Sequence, residues 1–206
     1  MRHFVSLIKL LCFCVVLVLI QNQDNKLNAK HMEESAKQTG LFDFFTQCLQ
    51  DLYGAEKKVV KCYAALSLAS FTPELQSALS GQSEEANSHI SRLELIFGLL
   101  EHKPGKCRCE IIELLSDKAA SIVKTVETGT ALRDAEIIYA VQLIAHYKIA
   151  SYGSLVSLMG EIGYPDAEML LAQCLTEEKN ADSYLTQIAL NFINPAAKKE
   201  SEKAGS

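Results

Sequence analysis

From Gly40 to Ala69 the chain runs thirty residues without a proline, and its apolar side chains return every third or fourth position. Leu41, Phe44, Phe45, Cys48, Leu52, Ala55, Val59, Cys62 and Leu66 form one stripe. That period belongs to a helix with one buried face. A thirty-residue helix of this kind is too long to bury its stripe alone, so it demands partners of similar length. The partners are present. After Ser70-Phe71-Thr72-Pro73, with Thr72 placed to cap and Pro73 at the first helical position, a second helix is predicted to about Glu101. A third long helix is predicted from about Ala131 to Met159, closed by Gly160, and a fourth from Tyr164-Pro165-Asp166 to about Phe192, closed by Asn194-Pro195. No alternating strand pattern or hairpin signal interrupts them, so the fold class is all-α.

Between the second and third long helices lies a shorter one, about Cys109 to Glu127, with Ile111, Ile112, Leu115, Ala119, Ile122 and Val126 apolar. Four long helices with one short crossover make a ferritin-like four-helix bundle. With 206 residues there is room for one domain. The expected boundaries are an N-terminal apolar segment at 1–31, the bundle at 32–193 and a polar tail at 194–206. In the tail, Lys198, Lys199 and Lys203 alternate with Glu200 and Glu202, the pattern of a solvated, frayed end. The segment 1–31 has three readings: a signal peptide, a short membrane anchor, or upstream sequence with Met32 as the true start. The third places the protein in the cytoplasm; the others export it or tie it to a membrane. A net charge of -5 with no basic patch argues against a nucleic-acid partner. The five cysteines beyond the N-terminal run are an odd set without framework spacing, and Cys107-Arg108-Cys109 lacks the second pair a zinc knuckle needs. Cys48 and Cys62 read as small core residues.

Chemistry concentrates in two matched motifs. Glu85 and His89 are four apart on the second helix, and Glu178 and Asp182 are four apart on the fourth. Each pair projects from one helical face. With Glu56 or Asp51 from the first helix, two such faces brought together form a carboxylate-rich pocket of the kind that holds iron or manganese. Glu84 and Glu177, one step off each pair, read as solvated. Tyr53, Tyr147 and Tyr152 read as packing residues with a bonded hydroxyl, and beside a metal Tyr53 or Tyr147 would bond a ligand carboxylate.

Leu52-Tyr53-Gly54-Ala55-Glu56-Lys57, Glu84-Glu85 through His89 with Arg92-Leu93-Glu94, Lys106 to Glu110, Ala145-His146-Tyr147 with Tyr152-Gly153, and Glu177-Glu178-Lys179 with Ala181-Asp182 follow one another in a telling order. Together they resemble the YciE/YciF-type ferritin-like family over about Leu41 to Ile188. The resemblance implies a ferritin-like bundle, a homodimer, a link to bacterial stress responses and a two-metal carboxylate site. Carried onto this chain, the metal ligands are Glu56, Glu85, His89, Glu178 and Asp182, with iron or manganese as the cofactor. Two redox metals there would react with oxygen or peroxide. One departure opens a competing reading. Where the family reads Glu-His-Tyr-Glu on the third long helix, this chain reads Ala145-His146-Tyr147-Lys148. Both carboxylates are gone. A Lys148 ammonium facing the pocket would substitute for a cation, leaving a non-enzymatic bundle around a polar network.

Overall fold

The computed structural model describes residues 40–105 and 107–204. The apolar segment at 1–31 and its three readings lie outside the described residues, as does the expected domain start at Met32. Six α-helices follow: α1 Leu41–Ala69, α2 Pro73–Leu99, α3 Glu110–Thr125, α4 Ala131–Ile162, α5 Pro165–Ile188 and, after a π-turn at Ala189–Ile193, α6 Asn194–Ala204. There is no strand among the described residues. Helices α1, α2, α4 and α5 are the four long members of a ferritin-like bundle. The shorter α3 is the crossover between α2 and α4. Helix α4 packs against α3, α5 and α6, and α2 packs against α5. No helix among the described residues is long and apolar enough to cross a membrane.

The core stripe of α1 is Phe45, Leu49, Leu52, Val59, Tyr63 and Leu66, all buried. Phe44 is left 46% exposed. Cys48 and Cys62 stand half-buried at the edge, and among the described residues the buried cysteines are Cys109 and Cys174. The bundle thus turns α1 slightly from the face that apolar counting alone selects, and the reason is polar. Glu56, with no exposed surface, lies inside that stripe.

Helix boundaries depend on caps that act over long stretches of sequence. Thr72 occupies the N-cap of α2, but its side chain does not cap its own helix. Instead the buried Asp134 of α4 accepts from Phe71 N (2.9 Å) and Thr72 N (2.7 Å), and the Thr72 hydroxyl donates to it as well. A carboxylate at the positive end of a helix is favoured by both charge and hydrogen bonding. Arg133, the preceding residue, reaches the other way. It donates to the carbonyls of Val123 (2.9 Å) and Val126 (3.0 Å from Nε) at the end of α3, where unpaired carbonyls need donors. Helix α4 runs past Gly160 and stops at Gly163, whose φ of 88° suits glycine and whose N–H closes on Met159 O at 2.9 Å.

The largest difference from the sequence expectation is at the C-terminus. Asn194-Pro195 does not end the helix. Proline lacks an N–H and its ring crowds the carbonyl four residues back. The π-turn at Ala189–Ile193 widens the helix immediately before it, and helical structure resumes as α6. The stretch read as a polar tail is therefore helix as far as Ala204. Glu200 on it caps α4, accepting from Ala131 N (3.0 Å) and Leu132 N (3.2 Å).

Candidate functional site

Each of the four long helices delivers one charged side chain to the centre of the bundle: Glu56 from α1, His89 from α2, Lys148 from α4 and Glu178 from α5. None is more than 4% exposed. Unpaired, any one of them would oppose folding strongly. Here they neutralise one another at contact distance. Lys148 Nζ lies 2.5 Å from Glu178 Oε1 and 2.9 Å from Glu56 Oε2. The first is a hydrogen bond; the second is an ion pair whose alignment falls short of one. His89 Nδ1 lies 3.1 Å from Glu56 Oε1 and 3.3 Å from Glu178 Oε1. Tyr152, one turn beyond Lys148 on α4, donates its hydroxyl to Glu56 Oε1 at 2.7 Å, and its ring meets the His89 ring edge to face at 5.6 Å.

The other edge of His89 connects to a second, less buried layer. Nε2 lies 2.9 Å from Glu177 Oε2. Glu177 is gripped at both oxygens by Arg92, with NH2 to Oε1 at 2.9 Å and NH1 to Oε2, the two-pronged geometry favoured by guanidinium and carboxylate. Arg92 NH1 also points at the buried Cys174 thiol, 3.6 Å away. Three cations (Lys148, His89, Arg92) thus face three carboxylates (Glu56, Glu178, Glu177).

These neighbours decide the protonation states. Burial works against a charge on His89, but hydrogen bonds to Glu178 and Glu56 overcome it and push its pKa up to about 10. Both ring nitrogens then carry protons, which suits a ring with a carboxylate at each edge. Burial also works against the Lys148 ammonium, and the charges of Glu178 and Glu56 outweigh it and hold the pKa above the usual lysine range. Burial raises Glu178, but Lys148 and His89 more than reverse this and hold it below the usual carboxylate range. Glu177 is likewise held low by Arg92 and His89 against its burial.

Of the five sequence-selected ligands, Glu56, His89 and Glu178 converge. Glu85 is half-buried and lines a surface pocket with Gln82, Asn180 and Tyr184; burial raises its pKa. Asp182 lies toward the flank of α4, 3.2 Å from Gln142 Nε2 and 3.6 Å from His146 Nε2. The His146 side chain is 67% exposed and does not turn inward. Asp51 bonds Gln47. Tyr53 donates to Glu94 (2.7 Å), and Tyr147 meets Cys109 Sγ (3.2 Å). Neither has a hydrogen bond to the central four.

Sequence reasoning passed over Glu177, Arg92, Cys174 and Tyr152's bond to Glu56. Spacing held the signal. Arg92 follows His89 by three, Cys174 precedes Glu177 by three, and Tyr152 follows Lys148 by four, each pair sharing a face.

Two trios bring ligand atoms within 4.8 Å of one another and could hold a metal ion: Glu56, His89 and Glu178, and His89, Cys174 and Glu177. Both require His89 to offer a lone pair. Each ring nitrogen already faces a carboxylate, and the Lys148 ammonium lies against the carboxylate oxygens of the first trio, so a metal would have to displace a ring proton and, in the first trio, the ammonium as well. The residues fit an internal ion cluster better than a metal.

Residues 40–198 match the protein family described as Domain of unknown function (DUF892). The chain is 35% identical to Protein YciF of Escherichia coli (strain K12) over 156 residues, covering 75% of this chain and 93% of that protein. It is similar to the crystal structure of the E. coli stress protein YciF, with a TM-score of 0.73 and 34% identity over 76% of this chain and 99% of that one. YcfI of Rhodopseudomonas palustris, provisionally described as a structural protein, gives 0.71 at 29% identity, covering 74% and 97%. A protein of Xanthomonas campestris pv. campestris shares the fold at 0.63 and 19% identity, covering 79% and 99%.

Proposed function

The chain belongs to the YciF-type family of DUF892 domains, and from that premise we propose that it is a non-enzymatic, stress-associated helical protein whose centre is neutralised by Lys148 instead of by a metal. The observation that carries this is the Lys148 ammonium, 2.5 Å from Glu178 and 2.9 Å from Glu56 in the middle of the bundle. A cation supplied by the chain does what a bound metal would otherwise do for the carboxylates, with no open coordination position and no electron to give. Oxygen or peroxide chemistry then has no seat here, and the protein acts through its surface and its stability. The description of YciF as a stress protein and of YcfI as a structural one fits this reading. The same proposal takes the protein as a homodimer; Leu95 and Leu99, one turn apart on α2 and 61% and 45% exposed, offer an apolar strip for it.

The test is elemental analysis of the protein made with iron and manganese supplied and purified without chelator. Less than about a tenth of an equivalent of either metal per chain is expected. One or two equivalents would overturn the proposal and return the site to metal chemistry. Lys148→Glu, which restores the acid of the family pattern, is expected to raise bound metal; an unchanged content would show that Lys148 is not what excludes it.

A further inference from the structure

Beside the central cluster, helices α2 and α5 leave a pocket of about 460 Å³ between them. That volume lies within the range of small-molecule sites, about 300–1,000 Å³. Gly81 opens the α2 wall, where a Cβ would meet nothing within 4 Å, and Ala181 is a small residue on the α5 wall. Polar side chains face the pocket from both helices: Gln82 and Glu85 from α2, Glu177 and Tyr184 from α5. Among the described residues, no lysine or arginine lines it. Glu177 is already compensated by Arg92 and His89. Glu85 is half-buried and makes neither a hydrogen bond nor an ion pair among the described residues. The pocket thus carries one uncompensated carboxylate, which favours a cation and repels an anion.

A second, independent feature marks the pocket as a receptor. Gln82 is 9% exposed, and its Nε2 has no hydrogen-bond partner. Its Oε1 has none either among the described residues. A buried amide is ordinarily bonded, and this one has two protons to donate and an oxygen to accept. Nothing ties it to its own protein, so it is free to swing toward a ligand in the pocket that offers both a donor and an acceptor. A pair of hydroxyls offers both. An ammonium alone offers only donors, and a carboxylate only acceptors. Tyr184, 50% exposed, adds an aromatic face from α5.

We propose that this pocket binds an amino sugar, with its ammonium on Glu85 and two adjacent ring hydroxyls on Gln82. One hydroxyl donates to Oε1 and the other accepts from Nε2, so both ends of the amide are satisfied. Gln82 and Glu85 are three apart on α2, with Cβ atoms about 5–6 Å apart, and neighbouring substituents of one pyranose ring reach both. The carbon face of that ring lies on Tyr184. The ligand touches neither Lys148 nor the two carboxylates Lys148 neutralises, so metal analysis of the centre and a binding test of this pocket succeed or fail separately.

The experiment is NMR titration of the nitrogen-15-labelled full chain with glucosamine at pH 6.5, where its amine is protonated. Saturable shifts are expected at Gly81, Gln82 and Glu85, and the Gln82 side-chain amide pair should move with them. Disappearance of that pair in Gln82→Met assigns it. Glucose keeps the hydroxyls without the ammonium, and putrescine keeps ammonium groups without hydroxyls. Each should bind at least about tenfold more weakly. Glu85→Gln should bring glucosamine down to the level of glucose. Gln82→Met keeps the volume and loses the amide; it should weaken glucosamine about tenfold without lowering the melting temperature, since no internal hydrogen bond is lost. Absence of a saturable site, an unmoved Gln82 amide pair, or a lower melting temperature in Gln82→Met would overturn the proposal. Glucose binding as tightly as glucosamine would overturn the ammonium assignment, and putrescine binding as tightly would overturn the sugar.

Discussion

Replacing Lys148 by Met tests the central cluster most directly. Met keeps much of the aliphatic stem and volume while deleting the ammonium. The Lys148 side chain is 1% exposed, and its partners Glu56 and Glu178 are 0% and 6% exposed, so water cannot take over the lost charge. Glu56 and Glu178 would then face one another with only the His89 imidazolium between them. Removing one member of a buried ion pair destabilises a protein by about 3–5 kcal/mol, chiefly through the abandoned partner. For a domain of this size that corresponds to a fall in melting temperature of about 10 °C. The assay is urea unfolding followed by circular dichroism, repeated from pH 5 to pH 8. The deficit should be largest near pH 8 and shrink toward pH 5, because a carboxylate without its cation binds a proton more readily. Adding Glu178→Gln to Lys148→Met should recover part of the loss, since the two changes act on one contact. A deficit below about 1 kcal/mol at pH 8, or one independent of pH, would refute the claim that Lys148 neutralises buried carboxylates.

Two further outcomes are expected. The His89 pKa stands at about 10 in the folded protein against 6.5 in the unfolded chain; its stabilisation is therefore complete below pH 6.5 and lost as pH rises toward 10. At about 1.4 kcal/mol per pH unit this approaches roughly 5 kcal/mol as an upper figure. Urea midpoints at pH 6, 8 and 10 should fall in that order, and His89→Gln should flatten the trend; a midpoint that rises with pH would contradict the assignment. Separately, a Cβ at Gly54 would lie 2.9 Å from the Cys107 carbonyl carbon and 3.0 Å from Arg108 N, both backbone atoms. Gly54→Ala should destabilise by about 1 kcal/mol net, because overpacking outweighs the gain in helix propensity. Gly81→Ala, with nothing within 4 Å of its Cβ, should instead stabilise by about 0.5–1 kcal/mol in thermal melts. Equal effects at the two sites would remove the close approach as the reason for Gly54.

The helices were legible because a bundle repeats one rule, a stripe of period 3.6, over long segments. Their ends were less so, because two are finished by distant residues. Asp134 completes the start of α2 from 62 positions away, and Glu200 completes the start of α4. Nothing near Thr72 or Ala131 announces either. Pro195 reads as a stop by every local rule, and only the π-turn before it lets the helix continue. In the site, Glu56, His89 and Glu178 were legible from residue type and spacing. Glu85 and Asp182 share faces with them but lie a full turn along their axes, where other neighbours begin: a surface pocket for Glu85, and Gln142 for Asp182. Glu177 points about 100° around α5 from Glu178, which reads as solvent-facing. It reaches the cluster because one imidazole can bond along both edges.

Because the four central charges come from four different helices, the cluster also governs how the chain assembles. With α5 undocked, His89 and Lys148 share Glu56, two cations against one carboxylate. With α4 undocked, Glu56 and Glu178 share His89. Every three-helix state therefore buries either an excess charge or an open, wet core, and neither is a resting place. The last helix to dock is pulled in by charge as well as by apolar contact. Folding should proceed without a populated three-helix intermediate, and a helix docked one turn out of register would meet an uncompensated charge in the middle of the protein.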